Sequence, residues 1–314
     1  MLKAYEKRPP LSQGALLRLM VGDFDEYHRP YDAYNISAPF TNCGDMYIAV
    51  RTEPRDKEHR TTTKFFRSKH DVWVEDPEMP TFTLQDPTIT RIAYDLVLGG
   101  VKTYPLATGG IGYQMEFYKG RTLSTLERFA VGPEHMKGIR LVELPDGKIG
   151  VFTRPQGVVN GINYAKGQIC YTEIDTLEYL SPATITQAKR ISLHFTNGEW
   201  GGANEAHVLA DRQLGILCHI AKLDDAGGKN YYAGIFTMDP ETRVATNMHI
   251  IATRDDFPSV PNKRPDEVNI IYPGGLKDNG DGTVDLYAGL GDTSAGKICI
   301  PNPFTPQNKL PHAA

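Results

Sequence analysis

Three charged residues alternate with other residues directly after an apolar strand-like run, Met46-Tyr47-Ile48-Ala49-Val50. They are Arg51, Glu53 and Arg55, and alternation places side chains on one face of an extended strand. The gathered charges have two interpretations of about equal weight. They form a solvated ladder of ion pairs, or they line a polar site.

Two Asp-Pro pairs follow, Asp76-Pro77 and Asp86-Pro87, and either could simply begin a turn. Asp76 lies in the acidic stretch VEDPEMP, which is typical of an exposed loop. Asp86 directly precedes the strand-like run ITRIAYDLVLG, so we expect it at the entrance of a strand. In a β-propeller such a carboxylate can face the central channel, where these folds usually hold their sites. The local pattern alone favours a structural role for Asp86.

The elements that must position these residues are short strands separated by turns. Pro145-Asp146-Gly147-Lys148 and Asp278-Asn279-Gly280-Asp281-Gly282 each predict a tight turn between two adjacent antiparallel strands. Helical periodicity is confined to Gly14 to Met20 and to a turn or loop around Ala203 to Ala210. Thirty glycines and twenty-two prolines in 314 residues fit many short, evenly spaced strands. The sequence therefore predicts an all-β propeller without an internal linker, a single domain over 1–314.

Composition excludes several classes of function. The net charge of -4 and the 40% hydrophobic content describe an ordinary globular protein without the basic excess of nucleic-acid-binding or anionic-membrane-binding proteins. We expect no membrane span, no secretory signal and a cytoplasmic location. The four cysteines are far apart, which predicts core thiols and neither a zinc site nor a disulfide framework. We expect no metal and no cofactor, because no ligand cluster or nucleotide-binding motif is present.

Several short runs occur in an order that resembles a known family. They are Asn35-Ile36-Ser37-Ala38, YIAVRTEPRD, LQDPTITRI, a strand pair ending FTRP, LGILCHI, YYAGIFTMD and DLYAGLGDTSAG. The chain is similar to the β-mannoside phosphorylases of glycoside hydrolase family 130. It resembles still more the mannosyltransferase/phosphorylases of glycosyltransferase family 108, which act on β-1,2-linked mannan. This resemblance implies a five-bladed β-propeller.

The resemblance also implies roles for individual residues. Asp86, in Gln85-Asp86-Pro87-Thr88-Ile89, falls on the catalytic acid of the family's Glu-Asp-Pro-Arg-Ile motif, with Gln for Glu and Thr for Arg. The positions that hold the transferred mannose and those that bind phosphate are also matched. The first set is Asn35, Arg51 and Asp292, and the second is Lys137, Arg154, His219 and Tyr231. On pattern alone, Lys137 could equally be an exposed hairpin charge and His219 a core histidine.

One acid with several cations fits a particular chemistry. Phosphate is already an anionic nucleophile, so an inverting phosphorylase needs an acid and a cationic cradle but no second carboxylate to activate water. We expect an inverting β-1,2-mannoside phosphorylase or mannosyltransferase, with partners β-mannooligosaccharide, inorganic phosphate or mannose 1-phosphate, and GDP-mannose as an alternative donor. A β-mannoside hydrolase and a non-catalytic glycan-binding propeller remain alternatives.

Aromatic residues near the motifs could stack on acceptor sugars, although core packing is the stronger expectation for each. The candidates are Trp73, Tyr113, Trp200 and Tyr232. The glycine-rich stretch from Glu199 to Glu205 could line the acceptor side.

Overall fold

The computed structural model describes residues 1–8, 11–57, 60–193, 195–196 and 198–305. Strands dominate this part of the chain. The first are β1 (Ala15–Leu16), β2 (Leu19–Met20), β3 (Asp32–Tyr34), β4 (Phe40–Asn42), β5 (Asp45–Glu53), β6 (Thr62–Lys69) and β7 (Val72–Glu75). The middle strands are β8 (Gln85–Ile92), β9 (Asp95–Pro105), β10 (Ile111–Gly120), β11 (Glu127–Val131), β12 (Arg140–Glu143), β13 (Ile149–Thr153), β14 (Val158–Val159), β15 (Ile162–Asn163), β16 (Cys170–Ile174) and β17 (Lys189–Arg190). The last are β18 (Glu199–Val208), β19 (Leu214–Leu223), β20 (Lys229–Met238), β21 (His249–Ala252), β22 (Asn269–Asp278), β23 (Thr283–Leu290) and β24 (Ser294–Pro301).

Helices are few and short. They are α1 (Leu2–Glu6), α2 (Pro182–Thr186) and the single 3-10 turns Leu123–Thr125, Leu177–Tyr179 and Arg254–Asp256. The α2 helix begins at Ser181, whose Oγ accepts a 3.3 Å hydrogen bond from the Thr184 amide, and Pro182 follows in the first turn. No helix in the described part of the chain has the length and apolar character needed to cross a lipid bilayer.

Both helical expectations were wrong. The segment Gly14 to Met20 is extended, because β1 pairs with β24 and β2 pairs with β7, and these ladders satisfy its backbone. Its partly buried leucines, Leu17 and Leu19, pack on a core cluster of the first sheet. From Ala203 to Val208 the chain belongs to β18, with a bulge between Ala203 and Glu205, and Ala210 lies in the turn that follows. Tertiary pairing therefore decides both segments.

The strands form mainly antiparallel sheets. One six-stranded sheet has the order β2-β7-β6-β5-β3 with β4 on β5, and two four-stranded sheets have the orders β11-β10-β9-β8 and β12-β13-β16-β17. The largest runs β1-β24-β23-β22-β20-β19-β18, with β21 on β20. Strands β14 and β15 form a separate two-stranded ribbon. Both predicted turns join neighbouring antiparallel strands, β12 to β13 and β22 to β23, which confirms the two hairpins.

The sheets lie in a ring around a central axis, and apolar side chains fill the spaces between neighbouring sheets. Strand β12 packs against β8 on one side and β18 on the other, while β18 packs against β22. The ring closes where β3 contacts β23 and β24. Phe65 and Leu98 share one of the apolar clusters between sheets, and Phe152 and Ile216 share another. The fold is thus all-β and propeller-like, as predicted.

The prediction that the cysteines are core thiols is correct for two of the four. All four are free, but Cys170 and Cys218 are buried whereas Cys43 and Cys299 are exposed. Only the first two are core thiols.

Candidate active site

Two adjoining pockets open near the central axis and share one wall. The larger, about 400 Å³ and here called the basic pocket, is lined by Asp86, Val101, Tyr113, Lys137, Gly138, Arg140, Arg154, Gln156, Lys166, Trp200, His219, Tyr231 and Tyr272. The smaller, about 240 Å³ and here called the carboxylate pocket, is lined by Asn35, Arg51, Gln85, Asp86, Lys137, Lys229, Tyr231, Arg264, Glu267, Ile270, Tyr272 and Asp292. The wall between them is formed by Asp86, Lys137, Tyr231 and Tyr272.

Asp86 lies at the entrance of β8, where the sequence predicted it. The β8–β9 ladder shifts register between Gln85 and Thr88, and Asp86 has a positive φ of 50°. Its Oδ1 accepts hydrogen bonds from Asn35 Nδ2 at 2.8 Å and from Arg51 Nη1 at 3.0 Å. The bulge therefore turns this carboxylate out of the ladder and towards the junction of the two pockets.

The charge of Asp86 is stabilised by its neighbours. Burial works against ionisation, but the Arg51 guanidinium, the Lys137 ammonium and the hydrogen bond from Asn35 outweigh it and hold the pKa of Asp86 below its usual value. At neutral pH, Asp86 is accordingly a carboxylate, which can accept a hydrogen bond or a proton.

A buried network of ion pairs and hydrogen bonds around Glu53 holds Arg51 in place. Arg51 Nη2 lies 3.0 Å from Glu53 Oε2, and Glu53 is fully buried. Glu53 also accepts hydrogen bonds from the Tyr34 hydroxyl and from Lys263 Nζ. Arg55 lies beyond the end of β5 and forms two 2.6 Å hydrogen bonds with Asp32 instead. The three charges are therefore not a solvated ladder, because Arg51 and Glu53 are buried and Arg51 reaches the site.

Asn35 and Asp292 reach the carboxylate pocket from strand ends on the two sides of the ring closure. Asn35 follows β3 with a φ of 43°, and Asp292 lies between β23 and β24 with a φ of 53°. A Cβ at Gly289 would come within 2.2 Å of Asn35 Oδ1, so only glycine permits this approach. Asn and Asp tolerate positive φ better than other non-glycine residues, and all three positive-φ residues in this pocket are of these types.

Arg154 crosses the floor of the basic pocket just after β13. Its Nε donates to the Gly201 carbonyl at 3.0 Å and its Nη2 to the Lys166 carbonyl at 3.2 Å. A Cβ at Gly202 would lie 2.7 Å from Arg154 Cδ, so the glycine-rich stretch of β18 provides room for this side chain. Burial lowers the pKa of Arg154 from its usual value, which is high enough that the guanidinium stays charged.

His219 faces the same pocket from β19, and its hydrogen bonds fix its tautomer. Asn204 donates through Nδ2 to the Pro273 carbonyl at 2.8 Å, so its Oδ1 must accept from His219 Nδ1, 2.7 Å away. Burial, with the charges of Arg154 and Arg140, lowers the pKa of His219 well below its usual value. The ring is neutral, with Nε2 as an acceptor. It stacks on Tyr231 with ring centroids 5.8 Å apart.

Lys137 precedes β12 and stands between the two pockets. It is exposed to solvent through the pocket mouth, but surrounding protein atoms displace much of its water, and this desolvation, together with Arg154 and Arg51, lowers its pKa. Asp86 opposes that shift. Lys137 Nζ lies 6.0 Å from the centre of the Tyr113 ring.

The fold thus brings the eight residues singled out in the sequence to two connected pockets. It also adds residues that sequence reasoning missed, namely Arg140, Gln156, Lys166, Lys229, Arg264, Glu267 and Tyr272. Arg140 donates to the Asn204 carbonyl at 2.8 Å and to the Tyr272 hydroxyl at 3.3 Å. No local motif marks these residues, because they come from separate strands and loops.

Two of the four aromatic candidates line a pocket, and the other two pack in or against the core. Tyr113 and Trp200 line the basic pocket, and Lys166 Nζ lies 4.7 Å from the centre of the Trp200 ring. Trp73 belongs to an apolar core cluster, and Tyr232 packs against another. In the described residues no three His, Cys, Asp or Glu side chains are grouped as metal ligands would be.

Solved structures show where this architecture occurs elsewhere. The chain is similar to MPT-4, a mannose phosphorylase from Leishmania mexicana in complex with phosphate ion, with 28% identity over 96% of this chain and 92% of that one and a TM-score of 0.86. It is equally similar to MPT-1, a GDP-Man-dependent mannosyltransferase from the same organism, with 28% identity over 99% and 96% of the two chains and a TM-score of 0.86. These two similarities confirm the resemblance inferred from the ordered motifs.

A more distant similarity concerns the fold alone. A β-1,2-mannobiose phosphorylase from Listeria innocua has 14% identity over 87% of this chain and 90% of that one, with a TM-score of 0.63. No curated protein is similar enough in sequence to count as a match. The family model described as "Protein of unknown function (DUF1861)" matches residues 21–306, and the chain therefore belongs to that family.

Proposed function

We propose that this protein is an inverting mannosyl-transferring enzyme that forms and phosphorolyses β-1,2-mannosidic bonds. The observation that carries the proposal is the position of Asp86 between a pocket rich in cations and a pocket rich in hydroxyl-binding groups. Donor phosphate would occupy the basic pocket and the transferred mannose the carboxylate pocket. The donor would be mannose 1-phosphate or GDP-mannose, since the similar phosphorylase was solved with a phosphate ion and the similar mannosyltransferase is GDP-Man-dependent.

The charge states support a direction-dependent role for Asp86. In transfer, its carboxylate would accept the proton of the acceptor hydroxyl, relayed through the sugar's own 3-hydroxyl, as that hydroxyl attacks the anomeric carbon opposite the phosphate. The bond to phosphate breaks and phosphate leaves with the electron pair. In phosphorolysis the same proton returns through Asp86 to the leaving oxygen. Asn35 and Arg51 hold the carboxylate in both directions.

The basic pocket would hold the phosphate. Arg154 is fixed by two backbone carbonyls and presents its guanidinium to the pocket, and Lys137, Arg140 and Lys166 add positive charge. Neutral His219 would accept a hydrogen bond from a protonated phosphate oxygen. In the described lining of this pocket, Asp86 is the sole carboxylate, which favours phosphate over water as the nucleophile.

We further propose that the ring has five blades within a single domain over 1–314. The largest sheet would count as two blades, because β20 and β22 are joined by only two parallel residue pairs. An apolar cluster that includes Leu217 and Leu286 supports face-to-face packing of those two halves. We also propose a cytoplasmic location, in keeping with substrates that are intracellular metabolites.

The test is a donor assay with the purified protein. α-Mannose 1-phosphate plus mannose or β-mannobiose should yield longer β-1,2-mannosides and inorganic phosphate, reversibly, and GDP-mannose should be tested in parallel for release of GDP. Products are sized by chromatography, and their linkage is assigned by NMR. Release of free mannose from β-mannosides at the same rate with and without phosphate would instead identify a hydrolase. Binding without turnover would identify a glycan-binding propeller.

A further inference from the structure

Glu267, just before β22, is a buried carboxylate in the wall of the carboxylate pocket. Only 5% of the residue is exposed. Among the described residues its Oε2 has no hydrogen-bond partner, and its Oε1 is 3.9 Å from Lys229 Nζ, which is beyond hydrogen-bonding range. Oε2 has therefore lost water without gaining a donor from the described residues.

Such an oxygen is costly to bury. A buried acceptor left without a donor destabilises the folded state, by more when the acceptor is charged. Burial raises the pKa of Glu267, and the negative charge of Asp292 raises it further. A ligand that donated a hydrogen bond to Glu267 would remove this penalty on binding.

Pairing with Lys229 does not account for Glu267. Lys229 Nζ already has a closer carboxylate, Asp266 Oδ2, at 2.8 Å. Asp266 is much more exposed than Glu267, with 48% of its side chain accessible against 7%. The exposed neighbour therefore serves the lysine, and the buried carboxylate remains available to the pocket.

The surroundings indicate the kind of donor. Four cations line the same pocket, Arg51, Lys137, Lys229 and Arg264, and they outnumber its three carboxylates, so the pocket has no excess of negative charge to hold a further cation. The described residues also lack a group of three metal-ligand side chains. A neutral hydroxyl donates to a carboxylate without adding positive charge, and a hexose carries several hydroxyls.

We propose that Glu267 is a specificity-determining residue that accepts a hydrogen bond from one hydroxyl of the transferred sugar. This inference rests on the proposed function for the identity of the sugar, but it concerns binding and not the transfer step. It assigns to Glu267 a contact with one hydroxyl, separate from the Asn35 and Arg51 contacts that hold Asp86.

The experiment is calorimetric titration of the wild type, Glu267→Gln and Glu241→Gln with α-mannose 1-phosphate and with each of its monodeoxy analogues. Glu241→Gln is the matched control, because it makes the same change at an exposed residue outside the lining of both pockets. The wild type should lose roughly tenfold to a hundredfold in affinity for one analogue, the range expected for a lost charge-assisted hydrogen bond. Glu267→Gln should bind α-mannose 1-phosphate more weakly than the wild type does. Removal of that same hydroxyl should not lower the affinity of this variant further. Glu241→Gln should behave as the wild type.

Two results would overturn the inference. One is wild-type affinity of Glu267→Gln for the parent, and the other is a loss that is equal for the parent and every analogue. If Glu267→Gln does not fold, Glu267→Asp, which keeps the charge but withdraws it by one methylene, should show the same selective loss. Glu267-dependent binding without mannosyl transfer would leave this inference standing and remove the proposed function. Mannosyl transfer with affinities that do not depend on Glu267 would support the proposed function and overturn this inference. A wild type that binds none of these ligands would overturn both the inference and the proposed function.

Discussion

Arg154→Lys separates the charge of this residue from its geometry. The arginine holds three nitrogens in a planar fork, two of which donate to the carbonyls of Gly201 and Lys166. Lysine keeps one positive charge but has a single nitrogen. It cannot serve both carbonyls and a phosphate at the same time.

The expected effect on folding follows from those carbonyls. The hydrogen bond to the Gly201 carbonyl is buried, so this carbonyl has little access to water once it loses its donor. Leaving one buried acceptor without a partner costs about 1–3 kcal/mol. We therefore expect Arg154→Lys to lower the free energy of unfolding by about that amount. A surface control, Arg121→Lys, should change it by less than about 0.5 kcal/mol, because the Arg121 side chain is 69% exposed.

The expected effect on binding is larger for phosphate than for sugar. Loss of a bidentate, charge-assisted contact should weaken binding of phosphate and mannose 1-phosphate by about 1.5–3 kcal/mol, roughly tenfold to a hundredfold. Affinity for β-mannobiose should be nearly unchanged, because a sugar in the carboxylate pocket does not contact Arg154. Calorimetry with the three ligands and denaturant unfolding of both variants measure these effects. Equal weakening of all three ligands would make Arg154 purely structural, and unchanged phosphate affinity would remove it from the phosphate site.

Two further substitutions test the proton chemistry. Asp86→Asn should retain the fold and sugar binding but lower the rate of mannosyl transfer about a hundredfold or more. Asp76→Asn disturbs a buried 2.8 Å hydrogen bond with Tyr47, so it should lower stability and leave turnover unchanged. The opposite pattern would show that the wrong aspartate was chosen. Because burial keeps His219 neutral in the folded protein, the unfolded chain takes up a proton below about pH 6.5 that the folded chain does not. Wild-type stability should therefore fall as the pH drops from 6.5 towards 5, by at most about 1.4 kcal/mol per pH unit from this group. His219→Asn, which preserves the donor to Asn204, should flatten that slope in unfolding measured across this pH range, and an unchanged slope would contradict a neutral His219.

Local signals in the sequence were sufficient for two hairpins and for the position of Asp86 at a strand entrance, but not for its role in the site. The Asp-Gly and Asn-Gly turns predicted two hairpins because positive φ is a local requirement. The strand-like run directly after Asp86-Pro87 placed this carboxylate at a strand entrance. The ordered motifs then linked residues far apart in the chain, such as Asn35 and Asp292, which spacing alone could not.

What the sequence could not supply depends on how the ring closes. Glu267 and Lys166 look like ordinary surface charges, and only the packing of separate sheets places them on pocket walls. Alternation predicted one face for Arg51, Glu53 and Arg55, but it could not reveal that Lys263, more than two hundred residues away, buries a charge against Glu53. The short helix expected near the N-terminus failed similarly, because strands from distant parts of the chain pair with that segment.

The positive φ angles of Asn35, Asp86 and Asp292 limit which amino acids can replace these residues. At these three positions the backbone restricts the available amino acids before chemistry does, because β-branched and bulky residues are strained there whether or not a substrate binds. A saturation library scored only for abundance should therefore already favour Asn, Asp and Gly at these sites. Depletion that appears only when the library is scored for activity would isolate the chemical requirement. Inactive forms intended to trap a bound ligand are best sought within that small set.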